Sequence, residues 1–167
     1  MSKTTKSPQE TLWELIKDIR FGMLTHRHPG GMLHAHPLTT LNQSIDEGAT
    51  LYFFVSKKTE LGQRIRQDAA VNVAYAKPES DSYISVSGQA RVSEDQATKD
   101  RLFNALTKAW FPGGSTDPDL ELVEVQIQHA EYWDVKESKV TQLFKMAKSA
   151  VTGNQPHMGE HKELNFN

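Results

Sequence analysis

The stretch FGMLTHRHPGGMLHAHPLTTL, residues 21–41, places two mixed polar and apolar segments on either side of the cluster Pro29-Gly30-Gly31. A proline followed by two glycines is typical of the turn between two antiparallel strands. The stretch therefore predicts a β-hairpin with arms at residues 21–28 and 32–41.

Further short runs of β-branched, aromatic or alternating residues predict more strands. In residues 83–92, apolar Ile84 and Val86 alternate with serines, which is the period of a strand buried on one face. The same parity argument predicts that the strand at 120–127 is buried on one side. The remaining predicted strands lie at 51–55, 71–76, 132–135 and 139–144.

Helices are predicted beside and between these strands. Ser7, Pro8 and Glu10 have the pattern of a capping box, so a helix is expected from about residue 8 to residue 20. Several short strands with helices at the start, middle and end predict an α+β fold that is mainly β, an antiparallel barrel with helical additions. The other predicted helices are 94–110, with Leu102, Ala105, Leu106 and Ala109 on one face, a segment from the turn at 56–59 to about residue 68, and 145–151.

Length and composition indicate one folded domain. The chain has 167 residues, of which 37% are hydrophobic and 24% are charged, and it has no cysteine. Its net charge of −2 argues against nucleic-acid binding, which needs a strongly basic face. No apolar run is long enough to span a membrane and no signal peptide is evident, so a cytoplasmic protein is expected. Residues 1–7 are expected to be disordered, 8–151 to form the domain, and 152–167 to be a polar, mobile tail.

The turn Ser56-Lys57-Lys58-Thr59 is the most ligand-like basic feature of the sequence. Hydroxyl groups, two ammonium groups and the free backbone amides at the start of a helix are the donors that a phosphate dianion needs. The alternative is an ordinary solvated lysine turn. Residue types alone leave both interpretations open.

Four of the seven histidines, His26, His28, His34 and His36, lie on the arms of the predicted hairpin. Both pairs share a face only if the hairpin register pairs residues of equal parity. Neither a neighbouring carboxylate nor the HxxxH spacing of a helix accompanies them, so structural or ligand-facing histidines are preferred. A zinc, nickel or copper site stays as the alternative.

Common catalytic motifs do not occur in the sequence. It has no nucleophile elbow, no dinucleotide-binding glycine motif after a strand and no phosphate-binding loop of nucleotide hydrolases. Trp110 and Phe111, just before Pro112-Gly113-Gly114, are suited to closing the core or to stacking on a flat ring. No side chain is identified as an acid, base or nucleophile, so no catalytic residue is predicted.

Eight segments, in order along the chain, resemble the bacterial general stress protein 26 family, which is part of the pyridoxamine 5′-phosphate oxidase-related FMN-binding split barrels. They are LWELI at 12–16, FGMLT at 21–25, HAHPL at 34–38, YFFVS at 52–56, VNVAY at 71–75, YISVSG at 83–88, KAWFPGG at 108–114 and EYW at 131–133. The resemblance implies a six-stranded antiparallel split β-barrel with flanking helices. It also implies a homodimer with FMN in clefts between the subunits, with FAD as the alternative flavin.

The resemblance implies which residues border the flavin. His36-Pro37-Leu38-Thr39 stands where the family has a strand beside the flavin ring and phosphate, and Val55-Ser56-Lys57 resembles the family's phosphate turn. Ser85 lies on a strand that approaches the cofactor, and Trp110 resembles the aromatic residue of a loop that closes the cleft. The implied cofactor-binding residues are His36, Pro37, Leu38, Thr39, Phe54, Val55, Ser56, Lys57, Lys58, Ser85 and Trp110.

Two positions depart from the family pattern. His36 stands where relatives usually carry an arginine, so a permanent bidentate phosphate partner is replaced by a side chain whose charge depends on pH. Leu61 stands where many relatives have a second phosphate-binding lysine. Both departures are expected to weaken flavin binding, with Lys58 as a compensating cation.

Several functions follow as hypotheses. The first is an FMN-dependent oxidoreductase of unknown substrate that takes electrons from a donor such as a nicotinamide cofactor. The second is a non-catalytic flavin-binding or flavin-buffering stress protein. The third is a haem- or metal-binding split barrel that uses the histidine hairpin. An interaction module without a cofactor is the remaining alternative.

Overall fold

The secondary structure consists of seven strands and five helices within the described residues, 6–44 and 49–166 of a computed structural model. The strands are β1 Phe21–Arg27, β2 Leu33–Thr39, β3 Thr50–Ser56, β4 Ala70–Lys77, β5 Ser82–Ser93, β6 Leu120–Asp134 and β7 Glu160–Asn165. The helices are α1 Pro8–Ile19, α2 Glu60–Arg64, α3 Gln96–Leu102, α4 Ala105–Lys108 and α5 Lys139–Thr152. Short 3₁₀ turns occur at Pro78–Ser80 and Gly114–Thr116.

Six strands form a curled antiparallel sheet in the order β2-β1-β4-β5-β6-β3. The two ends of this path approach each other, because the backbone N–H of Leu41, just after β2, donates to the carbonyl of Tyr52 in β3 at 2.9 Å. Strand β6 pairs with β5 along one edge and with both β3 and β7 along the other. The predicted hairpin and the predicted six-stranded split barrel with flanking helices are therefore confirmed.

Helix α1 packs its apolar side onto the barrel core. Leu12 and Ile16 are fully buried in the same cluster as Leu24, Val73 and Val86 of the sheet. The predicted capping box starts this helix: the backbone N–H of Glu10 donates to Ser7 Oγ, and the backbone N–H of Ser7 donates to the Glu10 carboxylate.

Strand β6 is buried on both faces in its first half, so the prediction of one buried side was wrong. Its inward face carries Val123 and Val125, which lie opposite Phe53 and Leu51 of β3. Its outward face is covered because α3 and the residue after it pack outside β3. There Phe103 lies 6.3 Å from the ring of Phe54, and Arg101 lies over the ring of Tyr52.

The helix predicted at 94–110 is instead two helices, α3 and α4. Phe103 is extended, and the Asn104 side chain accepts from the backbone N–H groups of Leu106 and Thr107, which starts a new helix. Leu106 is 74% exposed, so it does not share a buried face with Leu102. Asparagine is more favourable at an N-cap than in a helix interior, so Asn104 begins a second helix and does not continue the first.

The C-terminal region differs from the sequence prediction. Residues 139–144, predicted as a strand, begin helix α5, which is capped by Ser138 and includes the predicted helix at 145–151. The tail at 152–167 is polar as expected, but its residues 160–165 form β7 on the edge of β6, so it is not wholly mobile. Residues 1–5 of the predicted disordered N-terminus lie outside the described residues. Among the helices in the described ranges, none combines the length and the apolar composition that a bilayer crossing requires.

Candidate functional site

The four hairpin histidines share the inner face of the sheet. The register pairs His26 with His34 and Leu24 with His36, so residues of equal parity lie opposite each other. Leu24 and His26 are buried, which identifies this face as the one directed towards the core. The hairpin register therefore places both histidine pairs on one face, as the sequence analysis required for a single cluster. We call His26, His28, His34 and His36 the histidine cluster.

The rings of the histidine cluster contact each other in two stacked pairs. His26 and His36 have ring centroids 5.0 Å apart, and their Nε2 atoms lie 2.9 Å from each other. His28 and His34 stack at 4.7 Å, and His26 meets His34 edge to face at 6.0 Å. All four imidazoles thus form one continuous group.

A carboxylate that the sequence analysis missed completes this group. Glu60, the first residue of α2, accepts a hydrogen bond from His34 Nδ1 at 3.0 Å, and its second oxygen lies 3.4 Å from His28 Nε2. The Thr59 side chain caps α2 by accepting from the backbone N–H of Gly62, so Glu60 stands at the first position of that helix. The prediction that no carboxylate accompanies the histidines was therefore wrong, because Glu60 is distant in sequence and reaches them only through the fold.

The surroundings of His36 and Glu60 shift the pKa values of both side chains. Burial, and then the neighbouring His26, lower the pKa of His36, so His36 is uncharged at neutral pH. The hydrogen bond from His34 lowers the pKa of Glu60, which is ionised. His36 therefore does not supply the permanent positive charge that an arginine would supply at this position, and its ring contacts His26.

The lysine turn, residues 56–59, lies between β3 and α2. Ser56 Oγ donates to Asp119 Oδ2 at 2.6 Å and accepts from the backbone N–H of Lys58, while the backbone N–H of Lys57 donates to the carbonyl of Asp119. Both lysine side chains are exposed, and within residues 6–44 and 49–166 neither forms an ion pair. The turn therefore presents two exposed ammonium groups. Asp119 is a neighbouring carboxylate that sequence reasoning did not find. Asp117 is another: hydrogen bonds from the backbone N–H groups of Asp119 and Gly113 lower its pKa, and the nearby charge of Lys58 lowers it further.

Glu60 connects the lysine turn to β2. Its carboxylate binds His34 of β2, and it follows Thr59 directly in the chain. A second contact joins the two segments, since the backbone N–H of Leu41 after β2 donates to the carbonyl of Tyr52 in β3. Among the described hydrogen bonds and ion pairs, none joins the predicted residues 36–39 to the predicted residues 54–58. Leu61, the second departure from the family pattern, is 2% exposed and belongs to the core, so it offers nothing to a ligand.

Ser85 belongs to a different surface, the outer face of the sheet. One row of paired residues runs across four strands, Pro37 to Met23 to Ala74 to Ser85, so Pro37 and Ser85 share this face. Ser85 accepts a hydrogen bond from Asn72 Nδ2 at 2.9 Å. Among the described contacts, none joins Ser85 to the lysine turn.

The outer face carries exposed apolar side chains beside this row. We define the outer sheet face by Phe21, Met23, Pro37, Ala74, Tyr83, Ser85 and Trp133. Phe21 is 67% exposed, Met23 43%, Tyr83 40% and Trp133 37%. Contiguous exposed apolar groups of this kind mark interaction surfaces.

Trp110 stands apart from the other predicted residues. It follows α4, its side chain is 83% exposed, and no described hydrogen bond, ion pair or ring contact joins it to them. Neither of two surface clefts formed by the described chain, of about 480 and 350 Å³, contains a predicted flavin-site residue. These two clefts therefore do not mark the predicted flavin site.

The curled sheet and its flanking helices define a split-barrel protein. Residues 7–157 match the family model described as pyridoxamine 5′-phosphate oxidase like, and the chain belongs to that family. The resemblance predicted from the sequence is thereby confirmed.

General stress proteins are among the relatives. The general stress FMN/FAD binding protein of Xanthomonas citri is 36% identical, with a TM-score of 0.67 over 81% of this chain and 93% of that one. General stress protein 26 of Bacillus anthracis shares the fold at 21% identity, with a TM-score of 0.63 over 71% of this chain and 88% of that one. General stress protein 26 of Bacillus subtilis is 26% identical over 83 residues, which are 48% of this chain and 59% of that protein.

Proposed function

We propose that this chain is a flavin-binding general stress protein that holds FMN at the interface of a homodimer. The observation that carries the proposal is the pair of exposed ammonium groups of Lys57 and Lys58, which form no close ion pair with a described residue and lie in a turn that Glu60 links to β2. A phosphate dianion is the ligand that such a turn attracts most strongly. The Xanthomonas citri relative, an FMN/FAD binding protein, supports a flavin as the carrier of that phosphate.

The predicted site residues divide into a group for the phosphate of the flavin and a group for its ring. Lys57 and Lys58 would hold the phosphate, and the strand Pro37-Leu38-Thr39 would border the ring together with the backbone of Phe54 and Val55. His36 contributes little charge, because its ring contacts His26 and its pKa is lowered. The phosphate would therefore depend on the two lysines more than on a β2 side chain.

The outer sheet face supports the homodimer. Its exposed aromatic and methionine side chains would be covered by a second copy of the chain, which stabilises association because apolar surface leaves water. Ser85 and Pro37 lie on this face, so dimerisation would bring a second chain against two of the predicted flavin-site residues. Trp110 would reach the cleft from the partner.

The chemistry of a bound flavin would be electron transfer, for which a nicotinamide cofactor is the proposed donor. The chain's own residues bind and orient the cofactor and exclude water from it. No acid or base is assigned among them.

The experiment is a titration of the flavin-free protein with FMN, followed by flavin fluorescence and absorbance, with FAD titrated in parallel. We expect saturable binding of one FMN per chain, weakened by inorganic phosphate. The absence of saturable binding of either flavin would overturn the proposal. Oxidation of NADPH by the loaded protein in the presence of an artificial acceptor would then distinguish an oxidoreductase from a non-catalytic flavin-binding protein.

A further inference from the structure

The histidine cluster and Glu60 together have the composition of a transition-metal site. His26, His34 and Glu60 each place one donor atom within 4.8 Å of the other two. Two imidazole nitrogens and one carboxylate oxygen are ligands that zinc, cobalt, nickel and copper share, whereas magnesium and calcium prefer oxygen alone. His28 and His36 stack on members of this triad and are available as a fourth ligand.

One buried nitrogen of the proposed ligand His26 has no hydrogen-bond partner among the described residues. His26 is 1% exposed, and its Nδ1 has no hydrogen-bond partner among the described residues. Buried polar atoms in native proteins nearly always have a partner. On the other side of the ring, His26 Nε2 lies 2.9 Å from His36 Nε2, a distance at which one nitrogen donates and the other accepts. A metal ion bound to the cluster would replace the proton of this contact.

We propose that His26, His34 and Glu60 bind one divalent transition-metal ion of the zinc class, with His36 or His28 as the fourth ligand. The proposal goes beyond flavin binding, because it uses the inner face of the hairpin and none of the lysine turn. Its donors come from three elements, β1, β2 and the start of α2, so the ion would fasten the hairpin to the helix that follows β3.

The change needed to close the site is small. Metal bonds of about 2.0–2.2 Å place neighbouring ligand atoms roughly 3.5 Å apart, so the donors must approach by about 1 Å. The side chains of His34 and Glu60 are 35% and 36% exposed and lie at the mouth of the cluster, where they are free to move. His26 is fixed by burial and would act as the anchor.

The test is calorimetric titration of the full chain, treated with a chelator and freed of flavin, with Zn²⁺ alone. Co²⁺ is added in a parallel titration, because its visible d–d bands report the coordination geometry. We expect one Zn²⁺ per chain and intense Co²⁺ bands typical of four ligands. Glu60→Gln and His34→Ala should each weaken Zn²⁺ binding by about 100-fold or more, since a removed ligand costs at least as much as a lost outer-shell partner.

The matched control is His161→Ala. His161 is another exposed histidine bound to a glutamate, with Nε2 2.5 Å from Glu131, but it lies on β7 outside the cluster. Its loss should change Zn²⁺ affinity by no more than about twofold, since outer-shell partners of a site cost 10–100-fold and His161 is not one. Thermal unfolding of each variant shows that the fold is kept.

Three results would overturn the proposal. The first is no stoichiometric Zn²⁺ binding by the parent chain. The second is binding that survives both Glu60→Gln and His34→Ala, which would indicate an adventitious site elsewhere. The third is that the parent chain does not bind Zn²⁺ but gives a Soret band with haemin. If Glu60→Gln and His34→Ala abolish that band, the cluster is a haem site.

Discussion

Arg66 Nη1 lies 2.6 Å from Oε1 of Glu121, a carboxylate that is 1% exposed. Arg66 comes just after α2, and Glu121 is the second residue of β6, so the pair joins the helical turn to the barrel wall. The other oxygen of Glu121 has no hydrogen-bond partner among the described residues. Arg66 is therefore the principal positive charge that compensates the buried carboxylate of Glu121.

Arg66→Gln should lower the free energy of unfolding by about 2–3 kcal/mol, because it leaves a buried charge uncompensated. The value lies at the low end for buried pairs since Arg66 itself is about half exposed. Urea denaturation measures it. The double variant Arg66→Gln/Glu121→Gln should recover most of the loss. Arg64→Gln, two residues away, loses hydrogen bonds to the Arg27 carbonyl and to Gln67 but exposes no buried charge, so it should cost only about 1 kcal/mol. Equal losses in the single and double variants would contradict this account.

Lys57→Ala should weaken FMN binding about tenfold or more, because a charge-assisted hydrogen bond contributes about 1.5–3 kcal/mol. Lys58→Ala should act in the same direction, and the double variant should retain only weak affinity. Flavin fluorescence titration gives the dissociation constants. Lys148→Ala, on the exposed side of α5, is the control. Equal affinity in the parent and the double variant would show that the phosphate does not lie at the lysine turn.

Asp119→Asn should tighten FMN binding about fivefold. The carboxylate of Asp119 accepts from Ser56 Oγ, so it lies beside the place proposed for the phosphate. A unit charge a few Å away contributes about 1 kcal/mol in water, and asparagine removes that repulsion while its amide oxygen still accepts from Ser56. The same titration at low salt measures the gain, which should shrink as ionic strength rises. Weaker binding by Asp119→Asn would mean that the carboxylate mainly supports the turn.

Met23→Glu should convert the proposed dimer to monomers. Met23 lies in the middle of the outer sheet face, between Pro37 and Ala74, and a buried unpaired carboxylate at an interface is costly. Light scattering coupled to size-exclusion chromatography gives the mass, and FMN affinity should fall with dimerisation. Met32→Glu is the control, since Met32 is 61% exposed between β1 and β2 and is not among the residues that define the outer sheet face. A monomeric parent chain would refute the proposed interface.

Local patterns predicted β1 to β6 and the first helix, because alternation and capping depend on neighbours in sequence. The hairpin at residues 21–41 and the Ser7 cap illustrate this. The same patterns missed β7 and gave a strand at 139–144 where α5 begins. Two errors are local, since Asn104 and Ser138 each cap a helix that the sequence analysis did not start there.

The other errors concern long-range contacts. Glu60 contacts His34, and Asp119 contacts Ser56, only in the folded sheet. Because these pairs are far apart in the chain, no sequence spacing predicts either contact. The two buried faces of β6 depend in the same way on α3 covering β3 from outside.

Gly88 is the position where substitution should be least tolerated in the sheet. The pairing of β5 with β6 shifts register between Ser87 and Gly88, which is a β-bulge. A Cβ at Gly88 would lie 2.1 Å from the carbonyl oxygen of Gln126, and backbone cannot yield as a flexible side chain can. Gly88→Ala must therefore separate the two longest strands of the barrel.

The expected cost of Gly88→Ala is more than about 4 kcal/mol, or failure to fold, which thermal unfolding and far-UV circular dichroism would show. The control is Ser87→Ala, one residue earlier, which loses a single hydrogen bond from Asn72 and should cost about 1 kcal/mol. If Gly88→Ala unfolded as the parent does, β5 and β6 would have room to move apart at the bulge. The close approach of Gly88 to the Gln126 backbone would then not be required for the fold of the sheet at this bulge.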